Sequence, residues 1–128
     1  MSDQTREKPL VLAVDDAPEN IDVIKGLLTP EYTVSAAING SLALKIAENQ
    51  QPDLILLDVM MPEMDGFEVY RRLRAGEASR DIPVIFLTAV GADESLPEDL
   101  DAEEISILNK PISPGLLKEK IALHIKQG

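Results

Sequence analysis

Cysteine is absent from all 128 residues, which excludes thiol catalysis, cysteine-based zinc sites and any disulfide framework. Positive charge is scarce as well: 12 Lys and Arg stand against 23 Asp and Glu, for a formal net charge of -11. Nucleic acid and anionic membranes both require positive potential, so neither fits as a direct partner. No apolar run approaches the ~18 residues needed to span a bilayer. The opening segment MSDQTREKP is polar and has no apolar centre of the signal-peptide kind, so the expected location is cytoplasmic. Internal repeats and low-complexity tracts are missing too, and Gly and Pro are scattered as punctuation. The length suits one domain over residues 1–128, with a core large enough to stand without disulfides or a structural metal.

What is present is organised around DLILLDVMMPEMDG, residues 53–66. Asp53 to Leu57, led in by Pro52 and halted by Asp58, carries four consecutive apolar residues from Leu54 on. Apolar residues at consecutive positions predict a strand buried on both faces of a parallel sheet. Asp58 then stands at the carboxyl end of that strand, the edge of open α/β sheets where ligands collect. Pro62 and Asp65-Gly66 mark the loop that follows.

The same grammar recurs along the chain. Pro9 to Val14 predicts a buried strand ending in Asp15 and Asp16, and Pro18 suits the first turn of a helix with Ile21, Ile24, Leu27 and Leu28 on one face. Pro30 stops that helix, Tyr32 to Ala36 predicts a short strand, and Asn39-Gly40 a turn and cap. A helix over about Ser41 to Glu48 is expected to bury Leu42, Ala43, Ile46 and Ala47. Gly66 to about Ala75 is read as a helix with Phe67, Tyr70 and Leu73 inward and Arg71, Arg72 and Arg74 solvated. Pro83 to Leu87 predicts a strand delivering Thr88, and Ile105 to Leu108 one delivering Lys110-Pro111. Ser113-Pro114 opens a final helix with Leu117, Ile121 and Ile125 as its stripe, and lone His124 is read as a surface or half-buried residue of it. Strands alternating with helices predict a flavodoxin-like, doubly wound five-stranded parallel sheet in the order 2-1-3-4-5. The expected fourth helix, between Val90 and Glu104, carries Pro97 and seven unbalanced acids, so it is expected to be short, displaced or mobile.

The strand ends deliver Asp15, Asp16, Asp58, Thr88 and Lys110. Three converging carboxylates repel one another and call for a cation, and oxygen donors without His or Cys suit a hard ion such as Mg²⁺. A cation, an ammonium, a hydroxyl and loop N–H groups are what a transferring phosphoryl group needs, with Asp58 as the acceptor that becomes an acyl phosphate.

Asp15-Asp16, the stretch LILLDVMMPEMDG, Thr88-Ala89 and Lys110-Pro111 together resemble the receiver domain of bacterial two-component response regulators. The likeness runs from Leu10 to the last helix and includes the spacings from Asp58 to Thr88 and from Thr88 to Lys110. It implies that Asp58 is the phosphoacceptor, charged by a histidine kinase or phosphotransfer protein. By the same resemblance, Asp16, Asp58 and the backbone carbonyl of Met60 bind Mg²⁺, and Asp15 reaches the ion mainly through water. Thr88 would move toward the phosphoryl oxygen, Lys110 would pair with it, and Lys110-Pro111 would be cis. Phosphorylation would bias a two-state surface read by a downstream effector, domain or protein, with a coupling of roughly 1–3 kcal/mol.

Departures from the family pattern lie on the output side. Ile107 stands where many receivers carry an aromatic switch, and Glu103-Glu104 replaces a common Gly-Ala. Met60 and Val90 are apolar at positions that tune water access in the family, so slow self-dephosphorylation is expected. Three other readings compete: acids that merely cap helices, a degenerate receiver that acts by binding alone, and an aspartyl-phosphate phosphatase of similar fold. The last needs a second Asp two residues after the nucleophile, where this chain has Met60. The phrase KPISPGLLKEKIALHI resembles receivers placed before cyclic-dinucleotide or other signalling output domains, and a stand-alone receiver is an equal alternative.

Overall fold

The computed structural model describes residues 8–29, 31–88, 106–109 and 113–125. Five parallel strands form one sheet in the order β2-β1-β3-β4-β5, as the sequence pattern predicts. The strands are β1 (Leu10–Val14), β2 (Thr33–Ala37), β3 (Leu54–Asp58), β4 (Val84–Thr88) and β5 (Ser106–Asn109). Four helices are described: α1 (Pro18–Leu28), α2 (Gly40–Gln50), α3 (Gly66–Ala75) and α4 (Pro114–Ile125). Among the described residues, no helix is long and apolar enough to cross a membrane. The segment expected to hold the irregular helix, 90–104, lies outside the described residues, as do Pro30 and Lys110-Pro111.

Alternation along the strands divides the core in two. Leu12, Val14, Ile55, Leu57, Val84 and Phe86 face α2 and α3, meeting Ala43, Ala47, Val69, Tyr70 and Leu73. Their neighbours Val11, Ala13, Leu54, Leu56, Ile85 and Leu87 face the other way, against Ile21, Ile24 and Leu28 of α1 and Leu117 and Ile121 of α4. Every residue of β1, β3 and β4 is buried, which is why these three strands read as unbroken apolar runs. β2 lies at the edge, and its Thr33 and Ala36 are exposed.

Two helix faces differ from expectation. Leu42 is exposed, not buried. Asn39 accepts the Leu42 N–H in its side chain at 2.8 Å, so α2 starts at Gly40 and turns Ala43 and Ala47 to the sheet. Arg74 is no solvated residue either. Its guanidinium lies 4.4 Å from the Tyr70 ring centroid and donates to the Ile82 carbonyl at 3.0 Å, tying α3 to the lead-in of β4. Arg71 and Arg72 do pair with Glu68 on the outer face, at 3.4 and 2.9 Å. Phe67 is only partly buried, and Val69 takes the fully buried position.

At the β5 edge, Ser106 Oγ and His124 Nε2 lie 2.9 Å apart, joining the strand to α4. Burial, and secondarily the Lys120 charge, hold the imidazole below its ordinary value of 6.5. The folded state therefore favours neutral His124, and its contribution is present above the unfolded value and lost as pH falls through the folded one. A shallow loss of stability is expected on acidification from about pH 7 to 5, reduced in His124→Gln. Urea midpoints across that range, with NMR titration of the imidazole, measure it.

Candidate functional site

Register decides which side chains meet at the carboxyl edge. Val14 of β1 is paired with Leu57 of β3, so the next residues, Asp15 and Asp58, leave adjacent strands at one level. Asp58 is in turn paired with Leu87, which sets Thr88 one step further along β4. Asp15, Asp58 and Thr88 are buried, with 1%, 3% and 4% of their surface exposed, and Asp16 is exposed. One carboxylate oxygen from each of Asp15, Asp16 and Asp58 lies within 4.8 Å of the others. Thus four of the five predicted side chains occupy neighbouring strand tips. The fifth, Lys110, lies outside the described residues.

The donor set fits a hard cation. It is all oxygen and mixes two buried acids with one open to solvent, which suits Mg²⁺, an ion of oxygen ligands that keeps several of its waters. Asp15 is anchored on both oxygens: Oδ1 accepts the Ala17 N–H at 2.9 Å and Oδ2 accepts from Asn20 Nδ2 at 3.2 Å. Asn20 escapes a sequence reading based on strand tips, because it sits inside α1. The available signal was an amide side chain at the third position of a helix opened by Pro18.

The loop after Asp58 is held at both ends. Val59 N–H donates to the Leu87 carbonyl at 3.0 Å, and Gly66 N–H donates to the Val59 carbonyl at 2.9 Å. Asp65 caps α3 by accepting the Glu68 N–H at 2.9 Å. Gly66 packs so closely that an added Cβ would lie 2.4 Å from the Asp58 carbonyl oxygen and 2.9 Å from the Val59 Cα. Within the loop Met61 is buried, Glu63 takes a positive φ of 72°, and Met60 is 66% exposed beside the site.

A family model described as the response regulator receiver domain matches residues 11–122. The response regulator PleD of Caulobacter vibrioides is 40% identical over 112 residues, 87% of this chain. A probable cyclic di-GMP phosphodiesterase of Vibrio cholerae is 38% identical over 128 residues, 98% of this chain. This chain spans only 25% and 29% of those two proteins. Among solved structures, the receiver domain of a sensor histidine kinase from Pseudomonas aeruginosa superimposes with a TM-score of 0.79 at 31% identity, covering 92% of this chain and 98% of that one. That structure holds a magnesium ion coordinated in its active site cleft. The chemotaxis protein CheY4 of Vibrio cholerae gives 0.78 at 29% identity, covering 92% and 99%.

Proposed function

Because the chain belongs to the response regulator receiver family, we propose that residues 1–128 form one receiver that takes a phosphoryl group on Asp58, in a Mg²⁺-dependent reaction, from the phosphohistidine of a histidine kinase or phosphotransfer protein. The observation that carries this reading is the meeting of Asp15, Asp16 and Asp58 oxygens within 4.8 Å at the sheet's carboxyl edge. Asp16, Asp58 and the Met60 carbonyl would hold Mg²⁺, and Asp15 would reach it through water. The ion supplies neutralising charge for the phosphoryl oxygens. An Asp58 carboxylate oxygen attacks phosphorus in line with the breaking P–N bond, giving an acyl phosphate, while the donor ring, protonated on its other nitrogen, leaves as neutral imidazole. The Thr88 hydroxyl and the Lys110 ammonium bind phosphoryl oxygens and favour the charged, phosphorylated state.

The chain is then a signalling phosphoprotein that serves as its own substrate, not an enzyme with turnover on others. The activity in the phosphodiesterase relative's name is not carried over, because the match spans 29% of that protein. Its output would be read by an effector domain or protein in the cytoplasm, and a net charge of -11 argues against direct contact with nucleic acid or membrane.

Incubation with Mg²⁺ and acetyl phosphate, followed by intact mass spectrometry, tests the reading. A gain of one phosphate is expected, absent with chelator and absent in Asp58→Ala. No gain from small donors or candidate kinases would overturn it. The lifetime of the phosphorylated form makes a second prediction. Neither Met60 nor Val90 carries a polar group to orient attacking water, so loss of phosphate after donor removal should be slow. Mass spectra taken over the following hours check this, and rapid Mg²⁺-dependent loss would contradict it.

A further inference from the structure

Helix α1 begins in an unusual way. Its N-cap is Ala17, which offers no side-chain acceptor, and Pro18 follows it. In the common reciprocal arrangement, a side chain at the third helical position reaches back to the N-cap amide. Here the Ala17 N–H donates instead to Asp15 Oδ1 at 2.9 Å. Asn20, which occupies that third position, sends its amide to Asp15 Oδ2 at 3.2 Å. The first turn of α1 is thus closed onto a member of the acidic cluster and not onto itself.

From this geometry, and resting on the Mg²⁺-dependent reading above, we propose that Asn20 is a positioning residue for the cation site, holding the Asp15 carboxylate in the orientation that faces Asp16 and Asp58. Bonds to separate oxygens fix the carboxylate against rotation about its last bond, which one bond alone leaves softer. A carboxylate oxygen can accept more than one hydrogen bond, so donors on Asp15 are compatible with contact to water on the ion. The amide is also neutral. It orients Asp15 without cancelling the negative charge that attracts a cation, as a Lys or Arg in its place would. Its own base is rigid, since Ile21, Ile24 and Leu28 of the same helix are buried against the sheet. Groups that orient metal-binding side chains from outside typically change affinity by about 10- to 100-fold when removed.

The test measures Mg²⁺ affinity directly, by calorimetric titration of the unphosphorylated protein, in wild type, Asn20→Ala and Asn20→Leu. Leucine is close in shape and cannot donate, so it covers the case in which alanine perturbs folding. Both variants should bind Mg²⁺ about 10-fold more weakly, and the Mg²⁺ concentration that gives half-maximal labelling by acetyl phosphate should rise by a similar factor. Asn20→Gln, which retains the amide, should recover part of the affinity. If wild type binds Mg²⁺ and folded Asn20→Ala or Asn20→Leu binds it equally well, the role given to Asn20 is wrong while the reading of Asp58 stands. If wild type itself binds no Mg²⁺, both fall.

Discussion

Gly66→Ala is expected to lower stability by about 3 kcal/mol, the upper end of what overpacking usually costs, and to slow phosphorylation of Asp58 by roughly 100-fold. The cause is space, at a place where nothing soft can yield. An added Cβ would meet the Asp58 carbonyl oxygen at 2.4 Å, the Val59 Cα at 2.9 Å and the Asp58 carbonyl carbon at 3.1 Å, all backbone atoms. Those atoms cannot retreat freely, because Val59 N–H is bound to Leu87 and the Val59 carbonyl accepts from Gly66 itself. Either α3 moves away from the sheet, opening the core around Val69 and Tyr70, or the chain at Asp58 and Val59 shifts. The first loses burial. The second displaces the proposed nucleophile and the Met60 carbonyl together, and misplacement near 1 Å is enough for a loss of that size. Urea unfolding and the initial rate of mass gain from acetyl phosphate measure the two effects. Gly26→Ala is the matched control: its added Cβ meets nothing within 4 Å on an exposed position of α1. There the helix preference for alanine should act alone and raise stability by about 1 kcal/mol. A Gly66→Ala protein that behaved like Gly26→Ala would show that the close approach has no consequence.

The contrast between these glycines also marks the limit of what the sequence discloses. Strand positions were legible because β1, β3 and β4 are buried on both faces, so their residues are apolar without interruption. The acids that end those runs were legible for the same reason: Asp15 and Asp58 break an apolar pattern, and parallel register then sets them side by side. Helix faces were harder to read. Leu42 and Ala43 both suit a buried position, and only the cap at Asn39 decides which one turns to the sheet. Arg74 looks solvated beside Arg71 and Arg72, yet its partners, the Tyr70 ring and the Ile82 carbonyl, lie on one turn of its own helix and on the approach to the next strand. Asn20 was silent for a related reason. A polar residue in the first turn of a helix is ordinary, and its use follows from the direction of Asp15, which depends on where Ala17 places its amide. Gly66 was legible as the end of a loop, but its close approach to the Asp58 carbonyl, which Gly26 has no counterpart of, is visible only in the packing.

Phe86→Ala should be the most destabilising of these changes, at about 4 kcal/mol, a large share of the roughly 5–15 kcal/mol typical of a small domain. The chain has two Phe and two Tyr, and three of those four rings meet in one place. Phe86 is fully buried, with its centroid 5.1 Å from that of Phe67 and 5.5 Å from that of Tyr70, both in tilted contact. Such contacts add to burial because ring edges face ring surfaces. Its strand neighbours are Leu57 and Ile107, so a cavity there opens beneath both flanking strands. Little can collapse to fill it, since the surrounding backbone is fixed by the sheet. Phe86→Leu keeps part of the volume and should lose roughly 1–2 kcal/mol. The two aromatic substitutions differ from Gly66→Ala in what they leave alone. Phe86 points into the layer between the sheet and the α2–α3 pair, and the chain just past Asp58 stays tied to β4 by the Val59 N–H on the Leu87 carbonyl. At low temperature, where Phe86→Ala remains folded, it should therefore gain phosphate at close to the wild-type rate. Unfolding midpoints and labelling rates on the same samples would separate damage to the core from damage to the site, and a Phe86→Ala protein that is fully folded but fails to label would show that the rings also position the acceptor.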